Sequence, residues 1–72
     1  MLPQSEFDRY QKICLNGLLY DDLLTDFDRR FLKDFTDKFE QYKRHTFVSD
    51  KQEEQFARIE KYLQEELGHD YQ

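Results

Sequence analysis

Cys14, His45, His69 and a run of aspartates are the residues in this chain whose types could carry chemistry. A nucleophilic cysteine needs a positioned histidine base, and a zinc site needs ligands at short, regular spacing. Cys14 is the only cysteine, and the two histidines stand 24 positions apart with no HExxH or similar pattern between them. Asp21, Asp22, Asp26 and Asp28 fall within eight residues with no Lys or Arg among them. An EF-hand loop would require a central glycine and a closing glutamate at position twelve, and Tyr20-Asp21-Asp22-Leu23-Leu24 supplies neither the glycine nor the alternation of ligands. The only two glycines, Gly17 and Gly68, form no phosphate-binding loop, which excludes P-loop and Rossmann nucleotide sites. The expectation is a protein without catalytic residues, metal or cofactor.

Charge is what remains. The chain carries a net charge of −5 over 72 residues, and it is unevenly distributed. Residues 21–28 hold four acids and no base, and residues 49–72 hold seven acids against three bases. Between them, Arg29, Arg30, Lys33, Lys38, Lys43 and Arg44 outnumber Asp34, Asp37 and Glu40. Two acidic patches follow as candidate partner-binding surfaces: Asp21, Asp22, Asp26 and Asp28, and Glu53, Glu54, Glu65 and Glu66. They fit another protein with a basic surface. The basic face of the central segment is the alternative, as a nucleic-acid accessory surface, although the overall charge repels nucleic acid at long range.

The element that must position these groups is Asp26–Arg44. Phe27, Phe31, Phe35 and Phe39 recur every four residues and Tyr42 follows, so with Leu32 they fall within an arc of about 140° at the helical advance of about 100° per residue. The spacing predicts an amphipathic helix whose aromatic stripe is the core, and Phe47 in the following connector is the candidate exposed anchor. A first helix is expected over about residues 6–16, capped by Ser5, with Phe7, Tyr10, Cys14 and Leu18 on one face. Asn16-Gly17 fits its stop, but Ile13-Cys14-Leu15 and Leu18-Leu19-Tyr20 flank that dipeptide as the two strands of a hairpin would, so both readings stay open. A third helix is expected over 50–67, with a capping box from Ser49 to Gln52, a buried edge of Phe56, Ile59, Leu63 and Leu67, an outer Glu54–Arg58 pair, and Gly68 as its stop. Met1–Gln4 reads as a loose lead-in. The fold class is therefore all-α, a single small three-helix bundle.

Two segments, TDFDRRFL at 25–32 and SDKQEEQFARIEKYL at 49–63, resemble short helical segments of small bacteriophage proteins, some of which accompany DNA replication or repair. The resemblance spans about half the chain and carries no catalytic residue. It implies a phage or mobile-element origin, and as partner the host or defence machinery that handles nucleic acid, which an acidic inhibitor or modulator could occupy in place of phosphates. The single cysteine fits a reducing cytoplasm, and no segment reads as a signal peptide or a membrane span. A homo-oligomer subunit is the remaining alternative.

Overall fold

Helix formation follows from the aromatic and aliphatic spacing at three places. The computed structural model describes all 72 residues as three helices joined by tight turns: α1 (Gln4–Leu19), α2 (Asp26–Tyr42) and α3 (Asp50–Leu67). Single 3₁₀ turns at Asp21–Leu23, Lys43–His45 and Gly68–Asp70 follow the three helices in order. The fold is an all-α three-helix bundle with no strand.

α1 differs from expectation at both ends. It begins at Gln4 after Pro3, and Ser5 lies inside the first turn with no capping role. The lead-in is not loose: the Leu2 amide donates to the Arg44 carbonyl at 2.7 Å, and Arg44 Nε donates back to the Leu2 carbonyl at 2.8 Å. At its other end α1 runs through Asn16-Gly17 to Leu19, so that dipeptide is neither a helix stop nor a hairpin turn. Asn16 keeps helical geometry because its side chain is satisfied in place, with Nδ2 donating to the Lys12 carbonyl at 2.8 Å. Gly17 is required for a different reason from the one its type suggests. A Cβ there would lie 2.2 Å from Leu32 Cδ1, so its missing side chain is what lets α1 and α2 approach.

Thr25 caps α2 by accepting from the Asp28 amide, and Ser49 with Gln52 forms the reciprocal capping box of α3. α2 ends at Tyr42, short of Arg44, because Lys43 turns to φ 52° and its amide closes back on the Phe39 carbonyl. Gly68 stops α3 with φ 56°, a left-handed value that glycine adopts without penalty.

The core consists of Phe7, Tyr10, Ile13 and Cys14 from α1, Leu24, Leu32, Phe35 and Phe39 from the first turn and α2, and Phe56, Ile59 and Leu63 from α3. α1 packs against both other helices, α2 foremost, while α2 and α3 meet largely through rings. Phe56 stands at the centre: its ring centroid lies 4.6 Å from Tyr10, 4.9 Å from Phe31 and 5.0 Å from Phe35. The stripe is narrower than its sequence arc. Phe35, Phe39 and Leu32 are buried and Phe31 is half-buried, but Phe27 is 69% and Tyr42 51% exposed. Both lie at the ends of α2, where the neighbouring helices no longer cover its flank.

Candidate functional site

Polar groups help to hold α3 against α1. Arg9 on α1 donates through Nη1 to Glu53 and through Nη2 and Nε to Glu60, so one guanidinium clamps two turns of α3. Tyr10 adds a longer bond to Glu53 at 3.3 Å. Hydrogen bonding to Glu60, then to Glu53, holds the Arg9 guanidinium well above its usual range even against the opposing cost of burial. Burial first, then the nearby Glu53 charge, pushes the Tyr10 hydroxyl up to about 12. At the far end the Gln72 amide donates to Asn16 Oδ1 at 2.9 Å, and Lys12 Nζ sits 5.3 Å over the Tyr71 ring. The chain's last residues are thereby seated on α1, with Tyr71 raised to about 12 chiefly by burial of a hydroxyl that finds no partner.

The chain's last residues thus meet the last turns of α1, whereas the start of α2 lies against the first half of α3, where Asp28 takes Gln55 and Arg58. Asp21 and Asp22 are exposed in the turn after α1, and Glu65 and Glu66 are exposed in the last turn of α3. None of the four makes a side-chain ion pair. Glu54, in the first turns of α3, is exposed and unpaired as well.

The other three expected residues are drawn into the protein's own contacts. Asp26 is exposed but carries Arg29 on its carboxylate. Asp28 is a correction: it is 5% exposed, and its Oδ1 accepts from Arg58 Nη2 at 2.6 Å and Gln55 Nε2 at 2.9 Å, so it binds α3 rather than a partner. Arg58 accordingly pairs with Asp28 and not with Glu54 as the i, i+4 spacing predicts. Glu53 is half-buried under Arg9. The contacts of Asp28 and Glu53 span 27 to 44 residues in sequence, so local spacing carries no signal of them, whereas Arg29 on Asp26 is a local i, i+3 pair.

Cys14 is buried, and burial raises its thiol to about 11 against an opposing hydrogen bond from Thr36. A thiol so held stays protonated and unreactive near neutral pH. His45 and His69 are exposed, and no three His, Cys, Asp or Glu side chains gather closely enough to hold a metal ion. Phe47 is 80% exposed, and with Tyr42, Lys38 and His45 it lines a shallow hollow where α2 gives way to the connector before α3. No helix is long and apolar enough to cross a membrane. No protein-family model, curated protein or solved structure matches this chain.

Proposed function

We propose that the chain is a non-enzymatic interaction module whose exposed carboxylates dock on a basic protein surface. The observation that supports this most is the exposure of Asp21, Asp22, Glu65 and Glu66 without internal ion-pair partners. Carboxylates held on short, capped helices keep a fixed spacing, and fixed charge steers encounter with an oppositely charged surface. The resemblance of residues 25–32 and 49–63 to phage segments suggests that this surface belongs to host machinery handling nucleic acid, where the module acts as an inhibitor or modulator. A triple variant, Asp21→Asn, Glu65→Gln and Glu66→Gln, leaves every cap and ion pair intact. Immobilised wild-type protein should capture basic proteins from a bacterial lysate that the triple variant loses, and raised salt should release them. Association with a purified partner should slow in the variant more than dissociation quickens. Identical capture by the two proteins rejects these carboxylates as the docking surface.

A second reading is favoured by a separate observation. Exposed Phe27 lines one hollow with Arg30 and Lys33, and exposed Tyr42 and Phe47 line another with Lys38, and rings beside cations suit stacking on unpaired bases. Salt-sensitive binding of a labelled oligothymidine, lost in Phe27→Ala, is its test. Binding unchanged by that substitution rejects it.

A further inference from the structure

Gly68–Gln72 supplies none of the eleven core residues, yet it is not free of the bundle. Gly68 ends α3 at φ 56°, with nothing packed within 4 Å of where its Cβ would stand. One 3₁₀ turn, closed by the Tyr71 amide on the Gly68 carbonyl at 3.2 Å, then brings the chain over α1. There Asn16 is fully buried, and its Oδ1 accepts from the Gln72 amide and from no other group. Lys12, exposed one turn earlier on the same helix, holds Nζ over the Tyr71 ring. His69 and Asp70 are exposed and make no ion pair. Beyond the stop of α3, one ring, one cation and one hydrogen bond attach this segment to the helices.

The seat is only half matched to what fills it. Closure gives Asn16 Oδ1 its donor, but it also takes the Tyr71 hydroxyl out of water without a partner. Arg9 and Glu60 lie near enough to act on that hydroxyl, yet they are committed to each other, with Glu60 accepting from Arg9 Nε and Nη2. A buried donor left unpaired costs about as much as the bond at Asn16 contributes. What remains to favour closure is the contact of the ring and the cation above it.

We propose that Gly68–Gln72 is a latch hinged at Gly68, which closes on α1 through Tyr71 and Gln72 and opens while the three helices stay packed. Opening hydrates Asn16 Oδ1 and the Tyr71 hydroxyl together, and it disturbs no core residue, no helix cap at Thr25 or Ser49 and no ion pair. Closed, the chain's own ring and amide fill the seat beside Lys12. Open, the same face of α1 offers a carboxamide oxygen, a cation and the apolar surface beneath the ring. The latch therefore controls access to that face.

Residue-resolved hydrogen exchange by NMR on the full chain tests this. The Tyr71 and Gln72 amides should exchange more slowly than in an unstructured chain. Relative to their intrinsic rates, they should still exchange at least about a hundredfold faster than the amides of Ile13, Leu32 and Ile59 in the core. Tyr71→Phe removes the orphaned hydroxyl and should slow exchange of the Gln72 amide about fivefold or more. Lys12→Gln removes the cation above the ring and should quicken it about twofold or more. Neither substitution touches the core, so both variants keep the fold in which the latch is read. Protection equal to that of the core overturns the proposal by making the segment a fixed part of the bundle, and no protection at all overturns the seat. A Gln72 amide that exchanges no more slowly in Tyr71→Phe, or no faster in Lys12→Gln, overturns the balance on which the latch rests.

Discussion

Asp28 is where charge read along the chain and charge read in space differ most. In sequence it belongs to an uncompensated acidic run; in the fold it is a buried ion-pair partner of Arg58 with a further bond from Gln55. Removing one side of such a pair leaves the other's hydrogen bonds unmade. Asp28→Ala should cost about 1.5–3 kcal/mol in urea unfolding, whereas Asp21→Asn, on an exposed turn, should change stability by less than about 0.5 kcal/mol. A reversed order of the two would mean that Asp28 does not join α2 to α3. The buried thiol and phenols give a second test at this scale. Cys14 is raised from 9.0 to about 11 by burial, and Tyr10 and Tyr71 from 10.0 to about 12, again chiefly by burial. Each is neutral when protonated, so the unfolded chain ionises first on going alkaline. The stability these groups contribute is complete below about pH 9 and is lost as pH rises through 9 to 12. The urea midpoint should fall across that window, and Cys14→Ala should delay the onset of the fall towards pH 10, where the tyrosines begin to contribute.

At the scale of elements, the helix termini followed the local chemistry where a side chain does the capping. Thr25 and Ser49 accept amide hydrogens at the starts of α2 and α3, and Gly68 closes α3 in the left-handed region. α1 departs from its sequence signals because tertiary contact outweighs turn propensity at both ends. Leu2 and Arg44 fix its start, and Gly17 serves as the point of closest approach to α2. Gly17→Ala should therefore destabilise despite alanine's higher helix propensity, because the fully buried Leu32 must move to admit the methyl group. We expect a net loss of about 1–2 kcal/mol, overpacking outweighing a propensity gain of about 0.5–1 kcal/mol. In a Leu32→Ala background the same substitution should cost less, and chemical denaturation of the four proteins measures the coupling. Equal costs in both backgrounds would mean that Leu32 is not what Gly17 admits.

At the scale of the whole molecule, a single ring joins all three helices. Phe56 is fully buried and stacks on or abuts Tyr10, Phe31, Phe35 and Phe39, so it is the α3 side chain that touches both other helices through rings, beside the Arg9 clamp, the Asp28–Arg58 pair and buried Ile59 and Leu63. Phe56→Ala should cost about 3–5 kcal/mol, a large share of what so small a domain has in total. Loss of the cooperative thermal transition in circular dichroism is the expected outcome; a melting point within a few degrees of the parent would contradict the central placement of this ring.

The number of helices, their apolar faces, both side-chain caps and the all-α class were legible in the sequence, because each depends on residues within a few positions of one another. Helical periodicity and capping are local interactions, and local spacing reports them directly. What only the tertiary structure decided are the terms that act across 30 or more residues. Arg9 takes Glu53 and Glu60, and Arg58 takes Asp28, which removes two of the eight expected binding residues from the free surface. The fold leaves Asp21, Asp22, Glu65 and Glu66 exposed and without an ion-pair partner. Phe27 and Tyr42 share the period of the buried stripe but lie past the reach of the neighbouring helices, and Leu15 and Leu19 face outward because the helix continues where its dipeptide suggests an end. Periodicity fixes which residues share a face; how far that face is covered depends on where the other helices end, which no local pattern encodes.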